Sequence, residues 1–418
     1  MENNNKNIFR IVMVAASIVI LQTSCVKDVL RQAPTVDLAQ SAFWQTEADA
    51  TIGLNGLYAA VRPCFDRDYY FDGQAEYTRV RGTSSTDGNL RLGDAYNGGN
   101  YNPTGYGASF DKMFRYLYGA VNRANYVIEN TQKLINDGVP GSLSNYEQII
   151  GEARFLRGMV YFRLITMWGD IPYLDKVYFD NSEVALKGRI PMAQVKDSIM
   201  ADFNYAFVKL PASTTSAGRA TKPAVLAFRG KLQLYWASWN RFGWPELEGF
   251  KPDAAAATAG YTAAAADFKA VATNYNLSLY LNGDPGEIDD LGKADKLPNY
   301  YYLFTPKANG SGEMILAFNH GGTNSNQGEE LMRDFAGRSH EGSQCWVSPR
   351  YEIADRYQQL TTGEFAPRLI PMNPTVTGST ARTALNSAVN PASYANRDYR
   401  MKASIQWDYE TSVGLASL

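Results

Sequence analysis

Over residues 41–275 the apolar positions recur every three to four residues, a helical rather than a strand period. Ser41 is placed to cap a first helix running to about Val61, with Glu47 and Asp49 near its positive end. A strongly amphipathic helix is predicted over Phe110–Ile135 and ends at Asn136-Asp137-Gly138 with Pro140. Further helices are predicted over Tyr146–Trp168, over Ala193–Lys209 before Pro211, and over Lys222–Phe242 with Trp236 and Trp239. The Ala-rich stretch Tyr261–Tyr275 is another. Met314–Phe318 (MILAF) has the look of a short strand, and Arg350–Leu360 of a helix. Residues 69–107 break the pattern with a long Gly/Asn/Tyr/Asp-rich insertion, and segments of that length are usually functional or mobile. The expected fold class is mainly α: TPR-like helical hairpins with long irregular loop insertions and a few short strands. On such a scaffold the insertions carry the function.

The stretch EARFLRGMVYFRLITMWGDIP (152–172) sets three arginines in an apolar run. At about 100° per residue, Ala153, Leu156, Val160, Leu164 and Met167 form one face. Phe155, Met159, Phe162 and Ile165 form a second that includes Gly158. Arg154, Arg157 and Tyr161 share roughly 60° of arc between the two. Two apolar faces mean a helix packed on both sides. Gly158 would let a neighbouring backbone approach closely, and the arginines would reach carboxylates or helix C-terminal carbonyls on adjacent helices. The functional alternative is an anion site made by Arg154 and Arg157. Gly169 suits a positive-φ helix stop, and Pro172 holds Ile171 extended.

The amino terminus changes the picture. Lys6 and Arg10 precede the apolar run Ile11–Leu21, which is too short to span a bilayer. It leads to Thr23-Ser24-Cys25, which resembles a lipobox, so Cys25 is the expected lipidation site after removal of residues 1–24 as a signal peptide. Several acyl chains on one cysteine anchor stably where one does not. Residues 25–40 then read as a tether, and residues 41–418 as one helical domain. Removing Lys6, Arg10 and Glu2 takes the net charge from −2 to −3, a poor match to nucleic-acid binding. Only Cys64 and Cys345 remain, which is no disulfide framework, and the order of residues leaves open whether they pair. Two histidines and no HExxH or CxxC argue against a zinc or thiol enzyme, and no metal or cofactor is expected. The excess of aromatics, 27 Tyr, 19 Phe and 7 Trp, suits a core and also surfaces that stack on sugars or grip peptides.

The helix at 152–172 also resembles the signature helix of the SusD/RagB family, through Glu152, Ala153, Phe155, Leu156, Arg157, Tyr161, Phe162, Leu164, Trp168, Gly169, Asp170 and Pro172. Further segments follow in the family's order. They are KDVLRQAPT after Cys25, FWQTEADATIGLNGLYAAV, Arg219-Ala220-Thr221 with PAVLAFRGKLQLYWA, YYYLFTPKANGSGEMILAF, PRYEIADRYQ and NRDYRMKASI. In the last, Tyr399 stands where the family has Pro. Members normally continue with a further helix and a terminal Asn-Pro-x-Leu segment. Neither follows TSVGLASL, so the domain is expected to be incomplete at its C-terminus.

The resemblance implies a non-enzymatic lipoprotein at the cell outer membrane. Such a protein binds an oligosaccharide and passes it to a SusC-like TonB-dependent transporter. Rings beside amides suit sugar stacking and hydrogen bonding, so the leading ligand candidates are Tyr96, Asn97, Asn100, Tyr101 and Tyr106, then Trp244 and Trp346. The same tyrosines also fit an incidental place in a mobile loop. Tyr300–Tyr302, at a family-matched position, are expected in the core. Rival readings are a peptide-binding RagB-like protein, a lipoprotein that only docks other proteins, and a glycoside hydrolase. The hydrolase would need a carboxylate pair such as Glu352/Asp355 or Asp289/Asp290.

Overall fold

The computed structural model describes residues 43–66, 78–80, 110–244, 250–286, 298–321, 335, 345, 347–365 and 391–407. Helix α1, Glu47–Val61, starts from Thr46 rather than Ser41, which lies outside the described residues. The reason is a capping box. Thr46 Oγ accepts from the Asp49 amide at 3.2 Å, while the Asp49 carboxylate accepts from the Thr46 amide at 2.8 Å. Ala50, Leu54, Leu57 and Val61 then form the buried stripe.

Helix α2, Phe110–Asn136, ends where Gly138 takes φ 66° and the Val139 amide donates to the Leu134 carbonyl. Helix α3, Leu143–Trp168, is buried on nearly all sides. A short α4, Asn181–Ala185, precedes α5, Met192–Lys209, α6, Lys222–Phe242, and α7, Ala254–Asn274. α7 begins seven residues before Tyr261, because the Asp253 side chain accepts from the Ala256 amide at 2.9 Å and caps it there. The long helices pack in chain order, α2 on α3, α3 on α5, α5 on α6 and α6 on α7, with α1 against both α2 and α3. The fold is mainly α, in TPR-like hairpins.

The centre of the core is aromatic. Phe155 of α3, Phe203 of α5 and Phe228 of α6 meet with ring centroids 5.6–6.4 Å apart. Phe155 and Phe203 are wholly buried, each contributing about 1.5–3 kcal/mol by burial. The close neighbour of Gly158 is this Phe203 ring, not a backbone.

Three expectations change. Met314–Phe318 is not a strand: Ile315, Leu316 and Phe318 pack half-buried against the helical core, and among the described residues no strand lies alongside. Arg350–Leu360 is helical only over α9, Tyr351–Ala354. Beyond it the backbone turns at Gly363 (φ 70°) and forms bridges from Gln358 to Phe365 and from Gln359 to Arg397. Tyr300–Tyr302 belong to a four-residue helix, α8, Asn299–Tyr302, with no buried residue. They lie off the core because Tyr300 packs edge-on to the exposed Phe304 and Tyr302 sits under Lys307 instead.

Strands β1, Thr78–Val80, and β2, Val347–Pro349, pair antiparallel. A second small core gathers Ala354, Tyr394, Met401, Ile405 and Trp407 around α10, Tyr399–Ser404.

Candidate functional site

The signature helix α3 has its arginines engaged. Arg157 Nε and Nη2 donate to the two Asp202 oxygens of α5 at 2.7 Å each, and Nη1 donates to Asn125 Oδ1 of α2 at 2.7 Å. Burial would lower the guanidinium's pKa, but the Asp202 carboxylate overrides it and holds Arg157 charged. Arg154 stands 3.9 Å from the same carboxylate, with its guanidinium over the Tyr205 ring. The Tyr161 hydroxyl donates to the Leu174 carbonyl at 2.9 Å and accepts from the Leu174 amide at 2.7 Å. Burial raises the Tyr161 pKa well above its ordinary value, so the donor stays protonated. The seam joins α2, α3, α5 and the 170–178 segment, and an anion would have to displace Asp202 to use Arg157.

The aromatic surface lies at the end of α6. Gly243 takes φ 67°, and a Cβ there would come within 2.8 Å of Pro252 Cδ and 2.9 Å of the Phe250 carbonyl, so the turn needs glycine. That turn folds Trp244 back onto Trp239, with ring centroids 4.7 Å apart and planes 12° from parallel. The Trp244 amide donates to the Phe250 carbonyl at 2.9 Å. Phe250 is edge-on to both Trp236 and Trp239. Trp236, Trp239, Trp244 and Phe250 are all half-buried, and Phe242 beside them is 67% exposed. Such a patch offers ring surface at the rim of the helical body, suited to the apolar face of a sugar.

Of the residues expected to bind ligand, Trp244 is thus the one whose surroundings are described. Sequence reasoning did not group Trp236, Trp239 and Phe250 with Trp244: the two tryptophans lie in an apolar helix, which reads as core, and Phe250 lies beyond the turn that follows it. The available signal was two tryptophans three residues apart, close before a glycine and a third tryptophan. Tyr96, Asn97, Asn100, Tyr101, Tyr106 and Trp346, and the lipidation candidate Cys25, lie outside the described residues. So do Asp289 and Asp290 and the side chain of Glu352. Asp355 sits 3.5 Å from Arg397, which also donates to the Ser393 and Tyr357 carbonyls and so ties backbone segments together. Cys64 and Cys345 are not joined in a disulfide: Cys64 is buried, its Sγ donating to the Ala60 carbonyl at 3.6 Å, and Cys345 is partly exposed. Among the described residues no group of three or more His, Cys, Asp or Glu side chains is arranged to hold a metal ion. Among the same residues no helix is long and apolar enough to cross a membrane.

Residues 40–234 match a SusD-like family model described as starch-binding and associating with the outer membrane. A SusD-like protein of Formosa agariphila is 27% identical over 212 residues, which cover 49% of this chain and 39% of that protein. One from Bacteroides ovatus is 24% identical over 240 residues, 55% of this chain and 40% of that protein. The matched region therefore spans about two fifths of these relatives' length. The fold is similar to that of a SusD-like carbohydrate binding protein from Bacteroides fragilis, with a TM-score of 0.54, 19% identity, and coverage of 79% of this chain and 57% of that one. A second SusD-like structure from Bacteroides fragilis has a TM-score of 0.55 at 19% identity, covering 89% and 62%.

Proposed function

We propose, since this chain is a SusD-family protein, that it captures oligosaccharides at the outer membrane and hands them to a SusC-like TonB-dependent transporter. Membership of a family described as starch-binding and outer-membrane-associated carries this reading. The carbohydrate-binding relative from Bacteroides fragilis points the same way, and the Trp239–Trp244 stack supplies a surface of suitable chemistry. Tyr96, Asn97, Asn100, Tyr101, Tyr106, Trp244 and Trp346 are the side chains proposed to meet the glycan, and Cys25 the one to carry the lipid. The protein retains the glycan and does not cleave it.

Affinity electrophoresis and calorimetry against a panel of oligosaccharides and peptide pools test the capture. Oligosaccharide is expected to be bound and recovered intact, and Trp244→Ala to weaken binding by about tenfold, or about 1.4 kcal/mol. Cleaved products, or retention of peptides in place of glycans, would refute the reading. Labelling with a palmitate analogue is expected to mark the chain and to fail for Cys25→Ala. Co-purification from its own membrane checks the transporter.

A further inference from the structure

A groove of about 200 Å3 opens where three segments distant in the chain meet: Asn55 and Tyr58 of α1 with Arg62 just after its end, the turn 217–219 ahead of α6, and Phe318–Asn319. It is smaller than the ~300–1,000 Å3 of pockets that bury a drug-sized ligand, which leaves room for a single sugar residue. Two lining residues carry guanidinium groups and none carries a carboxylate. The acids that hold those arginines are not part of the lining. Glu152, nearly fully buried, accepts from Arg219 Nη1 at 3.1 Å and from the Tyr58 hydroxyl at 2.7 Å. Asp66 lies 3.8 Å from Arg62 Nε and 3.4 Å from His320.

The rim is fixed in advance. Arg219 Nη2 donates to Asn55 Oδ1 at 2.6 Å, Arg62 Nη1 to the Asn319 carbonyl at 3.0 Å, and Asn319 Nδ2 to the Ala217 carbonyl at 2.8 Å. Gly218, at φ 80°, makes the approach possible: a Cβ there would stand 2.7 Å from Asn319 Nδ2 and 3.1 Å from the Ala317 carbonyl. Tyr58 and Phe318 add ring surface to the polar wall.

We propose that this groove takes one carboxylate-bearing sugar residue, a uronate, within a captured glycan. The guanidinium-lined wall meets the carboxylate with charge-assisted hydrogen bonds, and the rings cover the pyranose. The proposal rests on the oligosaccharide-capture reading and narrows it to acidic glycans. Calorimetry of the full chain with free galacturonate, and with galactose as the neutral control, tests it. Galacturonate is expected to bind at least tenfold more tightly, and more weakly as salt rises. Asn55→Asp keeps the acceptor for Arg219 but adds a negative charge to the wall. It is expected to weaken galacturonate by tenfold or more at an unchanged melting temperature, and Arg62→Gln to give the same loss. Equal affinity for the two sugars, or indifference to both substitutions, would overturn the groove assignment. Retention of neutral oligosaccharides without a galacturonate preference overturns the groove alone. Retention of no oligosaccharide overturns the capture reading, while the free-monosaccharide comparison still decides the groove.

Discussion

Removing the Arg157 side chain would leave the Asp202 carboxylate buried without its bidentate partner and Asn125 without its donor. Arg157→Ala is therefore expected to cost about 3–5 kcal/mol of stability. Denaturant melts should show that loss, while the affinity for oligosaccharide measured below the melting transition changes far less. A collapse of affinity at unchanged stability would make the seam a binding site. Gly158 is the other sensitive point on α3. An added Cβ would sit 2.6 Å from Phe203 Cε1, and that ring is held between Phe155 and Phe228. Alanine favours a helix interior over glycine by only about 0.5–1 kcal/mol. Overpacking a core costs about 1–3 kcal/mol, so Gly158→Ala is expected to be net destabilising. Both residues could be placed on the helix from the sequence. Their partners Asp202, Asn125 and Phe203 could not, because they lie 32–45 residues away and only packing brings them near.

Helix ends were the harder part to read at the level of elements. The sequence suggests Ser41 as the cap of the first helix, whereas the reciprocal bonds of Thr46 and Asp49 make Thr46 the cap. Its first residue then links two helices: Glu47 accepts from the Ser142 amide and from Asn145 Nδ2, each at 2.7 Å, at the start of α3. Those bonds, Asn145 first, hold the Glu47 carboxyl below its ordinary pKa of 4.5. A carboxyl lowered by folding adds stability above its unfolded value and loses that stability as pH falls through its folded value. Glu47→Gln should thus be less stable than the parent at pH 7, with the difference shrinking as pH drops below about 4.5. Urea titrations across that range check the sign. Met314–Phe318 shows the opposite limit. Its apolar residues suit a strand, yet a strand exists only with a partner along its edge, and here the core takes the side chains instead.

For the whole molecule, the helical body and the small cluster around Trp407 are separate cores. Trp407 stacks on Tyr394, with centroids 5.2 Å apart and planes 12° from parallel. Trp407→Ala is expected to loosen the 391–407 region, seen as faster amide exchange there, with exchange in α3 unchanged. The sequence by itself determined the helical class, the order and rough extent of the long helices, and the family resemblance, because these rest on periodicity and on motifs that are local along the chain. It also placed Trp244 among the candidates, as an aromatic suited to stacking on a sugar. Only the tertiary structure decided that Trp244 lies on Trp239, that Asp202 neutralises the arginine seam, and that residues near 58, 219 and 319 close a groove with its acids behind the wall. The seam and the groove depend on contacts across tens to hundreds of residues, and the Trp239–Trp244 contact on how the chain turns at Gly243; side-chain periodicity describes which way a helix faces without saying what it faces.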